Sequence, residues 1–373
     1  MTVAQTASRS ARNPDRGGRP LRVLAWSSFI AEVVIIGTGG AVRLTGSGLG
    51  CTEWPLCTPE SLIPLEEQGI HGIIEFGNRL MTGVVGIIAL AVLLLTLATF
   101  AGRHLVIRAL WFAAGGIALG VGAYLLANPV GLGAFAFSSG LLLAVLGAMV
   151  DSVRRSERRR DLVVLAWIVL AGVMAQAVVG GLAVVSDLNA FVVGFHYTAS
   201  LLLVCVTAAY LVRLSAVPGP RARAVPTWFG VLAHVTTLAL AATIFFGVLT
   251  TSNGPHSGDA DIIRNGFDAT VLAHVHAWPG YILAGLVAVL TVVAWVRRLP
   301  VRRWLLVLVA AVAVQIIVGV WQAREGLPEI LVGIHMVLAA LSAAVMTVVI
   351  LHLKAPVGAL PTAPAAQSST VFS

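Results

Sequence analysis

Apolar residues run through this chain in blocks too long and too unbroken for the alternation of a half-buried strand or the one-sided stripe of a soluble helix. Between polar breaks the blocks fall at 22–42, 72–100, 105–127, 131–150, 162–186, 190–213, 227–250, 270–296, 303–323 and 330–353. Each is long enough to cross a bilayer as a helix, which takes about 20 residues. The pattern predicts ten transmembrane helices. One block opens strangely: "HGIIEFGNRLMTG", 71–83, carries His71, Glu75, Asn78 and Arg79 into an otherwise hydrophobic segment.

Composition agrees, with 58% hydrophobic and 11% charged residues and a mean hydropathy of +0.94. A soluble fold is excluded, and an all-α polytopic membrane protein is expected. The formal charge of +8 raises nucleic acid as a partner, but the placement of the cations answers it. If the basic N-terminus 1–21 is cytoplasmic, the alternate loops are cytoplasmic too, and together with the tail they hold 20 of the 24 Lys and Arg residues. Arg43, Arg79, Arg264 and Arg324 remain on the outer side. This is the positive-inside bias of a multi-pass protein in the cell (plasma) membrane, with both termini cytoplasmic and lipid as its surroundings, and it needs no nucleic acid. The first twenty residues are too polar for a signal h-region, so 22–42 is expected to stay as the first helix. The Pro/Ala/Ser-rich tail, 354–373, is expected to be disordered.

An internal repeat divides the chain. Shifting by 139 residues aligns "QAVVGGLAVVSDLNAFVVGFH", 176–196, with "QIIVGVWQAREGLPEILVGIH", 315–335, without a gap, and seven of 21 positions are identical. Apolar runs resemble one another by chance, but a recurring Gln, Gly and His do not, so the segment reads as a duplicated hairpin. The second helix of each hairpin carries His196 or His335 about six residues in, roughly 10 Å deep at 1.5 Å per residue. A shift of 198 sets Asn78 opposite His276. The expected organisation is an N-terminal bundle, 22–213, with an extra hairpin at 105–150, a linker, 214–226, and a C-terminal bundle, 227–353: two pseudo-symmetric four-helix bundles plus the hairpin.

Histidines inside a membrane are functional candidates, though a hydrogen-bonded structural His is the competing reading. Two neutral imidazoles on facing helices of an apolar bundle suit the axial positions of heme iron. Zinc would need further ligands, and His274, two residues from His276, points about 200° away around the helix. His276 and His335 are therefore the expected heme ligands. His71, Glu75 and Asn78 follow i, i+4, i+7 spacing, with Arg79 adjacent, and the second half has alanines at 273 and 277 in place of the acid and its neighbour. The acid suggests chemistry in the first half and a held cofactor in the second; a plain Glu75–Arg79 ion pair is the alternative. In "RLTGSGLGCTEWPLC", Cys51 and Cys57 lie in an outer loop where oxidation is favoured, so a disulfide is expected, with free redox-active thiols as the other reading. Cys205, within a helix, reads as packing. The glycines at 46, 48 and 50 are expected to make tight turns or admit a bulky ligand.

"GGAVRLTGSGLGCTEWPLC", "IEFGNRL", "AQAVVGG…HY", "GPHSGD" and "VGIHM" together resemble the heme A synthase family over about 22–100 and 162–353. That resemblance implies an eight-helix core of two bundles and a membrane oxidoreductase that converts heme O to heme A, for use by terminal oxidase, by successive hydroxylation of a porphyrin methyl to a formyl group. It implies heme b as cofactor on His276 and His335, heme O as substrate at His196 and Asn78 with Arg79 beside it, Glu75 as the important acid and Cys51–Cys57 as the cysteine pair. Heme O synthase and cytochrome oxidase assembly are the implied partners. Two departures stand out: Asn78 where many members have His, and the extra hairpin. Arg43, Arg79 and Arg324 suit heme propionates by charge, and His256 reads equally as a loop residue or as part of the second heme's mouth. The rivals are a non-catalytic diheme cytochrome b electron carrier using the same histidines, and a proton-coupled transporter, for which Glu32 in mid-helix would serve.

Overall fold

A computed structural model describes residues 17–259 and 268–357. Ten helices long and apolar enough to cross a membrane make it a multi-pass membrane protein. They are α1 (Arg19–Leu44), α2 (Gly69–Thr96), α3 (Arg103–Ala127), α4 (Gly133–Arg155), α5 (Arg160–Val185), α6 (Ala190–Ser215), α7 (Thr227–Asn253), α8 (Ala269–Val296), α9 (Arg302–Arg324) and α10 (Glu329–Leu351). Each overlies one hydrophobic block, because in a bilayer a segment must satisfy its own backbone and the helix does so locally. The ends are set by polar and glycine signals. Asp268 caps α8 by accepting from the Thr270 and Val271 amides, which hold its carboxyl below the usual carboxylate range. The second block runs on through a π-helical turn, Leu97–Ala101, and stops at Gly102, whose φ of +99° suits glycine.

Helices α1, α2, α5 and α6 pack as one four-helix bundle and α7 to α10 as another, and α10 lies against α1 and α6 to join them. Each bundle has its own apolar core; Val85, Leu93 and Trp167 lie in the first, Phe229, Leu290 and Leu305 in the second. The hairpin α3–α4 stands outside, against α5. Its two helices approach closely at small residues: a Cβ on Gly116 would stand 2.5 Å from the Ala144 Cβ, and one on Gly140 3.0 Å from the Gly120 Cα. Close backbone contact of this kind replaces the hydrophobic driving force that lipid cannot supply. At one end Arg108 forks onto Asp151, which also accepts from Arg155.

The linker and the tail depart from expectation at one point. Arg221–Arg223 (β1) and Lys354–Pro356 (β2) pair antiparallel, with Ala222 opposite Ala355. The first residues of the expected disordered tail thus close the two bundles at one end; 358–373 and Arg264 lie outside the described residues.

Candidate functional site

In all four hairpins of the two bundles, a polar side chain on the second helix faces a glycine on the first. A Cβ on Gly247 would stand 2.9 Å from His276 Cε1, one on Gly319 2.8 Å from His335 Cε1, one on Gly180 3.4 Å from His196 Cε1, and one on Gly39 3.9 Å from Asn78 Oδ1. The repeated Gln and Gly in the sequence acquire roles here. Gly180 and Gly319 make room for the imidazole, while Gln176 and Gln315 donate to the carbonyls of His196 and His335 at 2.9 and 3.1 Å.

His276 and His335 come together, ring centres 6.3 Å apart. Two metal–nitrogen bonds of about 2 Å, with about 1 Å more from each nitrogen to its ring centre, give about 6 Å for imidazoles on opposite sides of one metal ion. His276 Nδ1 lies 2.8 Å from the Thr243 carbonyl, which can only accept, so the proton sits on Nδ1 and the Nε2 lone pair is free. His335 Nδ1 and Gln315 Oε1 are buried with no partner, although the equivalent His196 Nδ1 and Gln176 Oε1 are bonded at 3.0 Å. Among the described residues no group of three His, Cys, Asp or Glu side chains gathers to hold a bare metal ion. A two-histidine site in an apolar bundle fits a metal that brings its own equatorial ligands, as heme does.

The first half is built differently. A partly open cavity of about 120 Å³ is lined by His196, Asn78, Gln176, Tyr197, Arg43 and Glu32 among others. His196 donates Nδ1–H to Gln176, whose amide nitrogen is spent on the His196 carbonyl and the Ser200 hydroxyl. Asn78 Oδ1 accepts from Thr38 at 2.8 Å, so Asn78 presents amide nitrogen, which is no iron ligand, to the cavity. One histidine is available here, against two in the other half.

Glu75 and Arg79 face elsewhere. One Glu75 oxygen accepts from the Cys51 amide at 2.7 Å, and the other is paired with Arg79. Arg79 also donates to the carbonyls of Cys51, Glu53, Pro55 and Leu56. The loop it grips is closed by the Cys51–Cys57 disulfide, both cysteines fully buried. The shared face expected of His71, Glu75 and Asn78 therefore splits three ways: Asn78 into the cavity, Glu75 into the loop anchor and exposed His71 onto Ser47 at 2.9 Å. Arg79, expected beside the substrate, is satisfied by protein.

A family profile of cytochrome oxidase assembly proteins, COX15-CtaA, matches residues 22–127 and 134–347. The chain belongs to this family. Among relatives of this family member, a protein named heme A synthase from Exiguobacterium sibiricum is 42% identical over 80 residues, covering 21% of this chain and 26% of that protein. Another of that name from Bacillus licheniformis is 32% identical over 152 residues, 37% of this chain and 49% of the relative. The chain thus spans half or less of the length of these curated relatives. A protoheme IX farnesyltransferase from Thermus thermophilus is 37% identical over 81 residues, 21% of this chain but 13% of that protein. No solved structure shows a significant match.

Other candidates in this family member find structural partners. His274 is exposed and bonds the Thr270 carbonyl of its own helix; His256 bonds the Leu327 carbonyl at 2.7 Å and so ties the loop after α7 to the loop after α9. Arg43 donates to the His256 carbonyl and still lines the cavity, whereas Arg324 is exposed. The glycines near Cys51 make the expected tight turn at Gly46 (φ +65°), but Gly48 and Gly50 admit protein backbone, the Gly258 carbonyl and His71, rather than a ligand. Sequence reasoning gave no role to Trp54, which packs on Gly181 and Phe135, or to the Thr38 partner of Asn78; neither carries a local pattern.

Proposed function

We propose that the protein is a heme A synthase: a membrane oxidoreductase that oxidises a methyl group of heme O to formyl by successive hydroxylations. The observation that carries this is the inequality of two otherwise equivalent sites, a His276–His335 pair in one half and a His196–Asn78 pair beside an open cleft in the other. Family membership and the names of its relatives support the reading.

His276 and His335 would hold heme b, the His276 Nδ1–H bond to the Thr243 carbonyl fixing that ring, and heme b when bound would supply one-electron redox chemistry. In the first half His196 orients heme O as the single strong ligand, and Arg43 offers a cation to its carboxylates. Removing hydrogen from a methyl group releases protons; Glu75, one turn from Asn78 on α2 but turned into the loop anchor, is the carboxylate proposed to accept them as they leave the cavity. Its bonds to Arg79 and the Cys51 amide hold it in place and close the disulfide loop over the outer end. The termini face the cytoplasm of a cell membrane; heme O synthase supplies the substrate, and cytochrome oxidase uses the product.

The test is to purify the protein, identify its extracted hemes, supply heme O and analyse the porphyrin products. Heme b together with hydroxylated and formylated product is expected; Glu75→Ala should keep heme b and lose the product. Heme b with no conversion under reducing or oxidising conditions overturns the reading in favour of an electron carrier.

A further inference from the structure

Glu32 is a buried acid that the chemistry above leaves unused. It sits in the middle of α1, 2% exposed, with Oε1 in contact with no hydrogen-bond partner. Leaving an acid unpaired in an apolar interior is costly, more so if ionised, so such a group is rarely retained for packing alone. Nor does packing need it. Gly39 faces Asn78 as Gly247 faces His276, an offset of 247 − 39 = 208, which places Leu240 at the equivalent of Glu32 in the other half. Leu240 is buried in the second core. An apolar side chain thus fills that place where a cofactor is proposed, and an acid fills it in the half with the open cavity.

The cavity gives the acid a direction. Glu32, Ile36, Gly39, Gly40 and Arg43 form one stripe of α1 that lines it. Arg43, at one end, lies near the outer loops; Glu32, eleven residues along, is about 16 Å deeper at 1.5 Å per residue. Between them, His196 and Asn78 approach from α6 and α2. A porphyrin bound with its carboxylates toward Arg43 turns its opposite edge, which carries the non-carboxylate substituents, toward Glu32.

We propose that Glu32 is a specificity residue that hydrogen-bonds a hydroxyl on the deep edge of the substrate, selecting a heme with a hydroxylated isoprenoid chain over one with a vinyl group there. The inference rests on the heme O reading above. A neutral carboxyl both donates and accepts, as a hydroxyl does, so the pair satisfies two groups that would otherwise be buried unpaired. A site built to bond a substrate hydroxyl rejects the analogue lacking it because its own polar group is then stranded.

The experiment is a competition titration of heme O against protoheme on the purified full-length protein, with its resident heme b in place, for wild type, Glu32→Leu and Glu32→Gln. Wild type is expected to favour heme O by about 10-fold or more. Glu32→Leu should erase that preference, weakening heme O binding without weakening protoheme binding, and Glu32→Gln, which can still donate and accept, should keep part of it. A Leu variant that retains the preference, or loses both ligands equally, overturns the role of Glu32 while leaving the synthase reading intact. Wild type that binds neither ligand in a His196-dependent manner overturns both. If Glu32→Leu does not retain heme b and is therefore misfolded, the isosteric Gln variant decides: weakening of both ligands equally, or of neither, overturns the role.

Discussion

The Tyr197 hydroxyl donates to the Met336 carbonyl at 3.1 Å. These residues directly follow His196 and His335, and they are related by the same shift of 139 that relates the two histidines. The two halves are thus hydrogen-bonded at equivalent positions, one residue beyond each imidazole. Met336 reaches further, lining the first cavity and lying against Gly40. Tyr197→Phe is expected to lose about 1 kcal/mol of stability while keeping the fold. Thermal unfolding in detergent reads this; an unchanged midpoint would show that the contact contributes nothing.

The glycine cradles make a sharper prediction. In Gly319→Ala and Gly247→Ala the added methyl would stand 2.8 and 2.9 Å from an imidazole carbon, so the ring must shift from its place. Both variants should fold but retain less heme per protein. Gly285→Ala is the control: nothing lies within 4 Å of its new methyl, and alanine favours a helix interior by roughly 0.5–1 kcal/mol over glycine. The heme-to-protein ratio after purification separates the two outcomes, and equal loading in all three would remove the cradle as an explanation.

Arg79→Ala removes the cation that pairs with Glu75 and donates to four loop carbonyls. Glu75 would be left as a buried carboxylate with only the Cys51 amide, and breaking such a pair costs about 3 kcal/mol or more. The loop should loosen before the helices do. The readout is faster reduction and alkylation of Cys51 and Cys57 in the variant than in wild type; equal rates would argue against Arg79 as the clasp.

Cys51→Ser with Cys57→Ser opens a loop of sequence separation 6. Loop-closure entropy alone predicts a loss of about 2 kcal/mol. The loss should appear in thermal stability and in proteolysis confined to 45–68, with the heme proposed for the second half retained. Loss of that heme would show instead that the loop supports the whole bundle.

Ten helices were legible because each is a long apolar block, and the histidines were legible because a repeat in apolar sequence singles out its few polar identities. The direction in which each polar residue points was not. Glu75 and Asn78 are three residues apart on one helix, yet one meets a loop amide from α1's far end and the other meets Thr38; the choice depends on which sides of α2 the loop and α1 cover. Glu32 was visible as an anomaly in mid-helix, but its place in a cavity follows from the packing of α1 against α2, α6 and α10. The tail strand was missed because three residues, Lys354–Pro356, pair only with a distant partner, Ala355 lying opposite Ala222, 133 positions away.

Thr38 holding Asn78 by its oxygen has a consequence in time rather than affinity. A heme fastened by two imidazoles leaves slowly, which suits a cofactor and would trap a product. On the proposed heme O reading, one imidazole and an amide that offers nitrogen would give a residence in the first cleft short enough to allow turnover. Asn78→His, facing the open space at Gly39, would convert a place of passage into a second permanent berth.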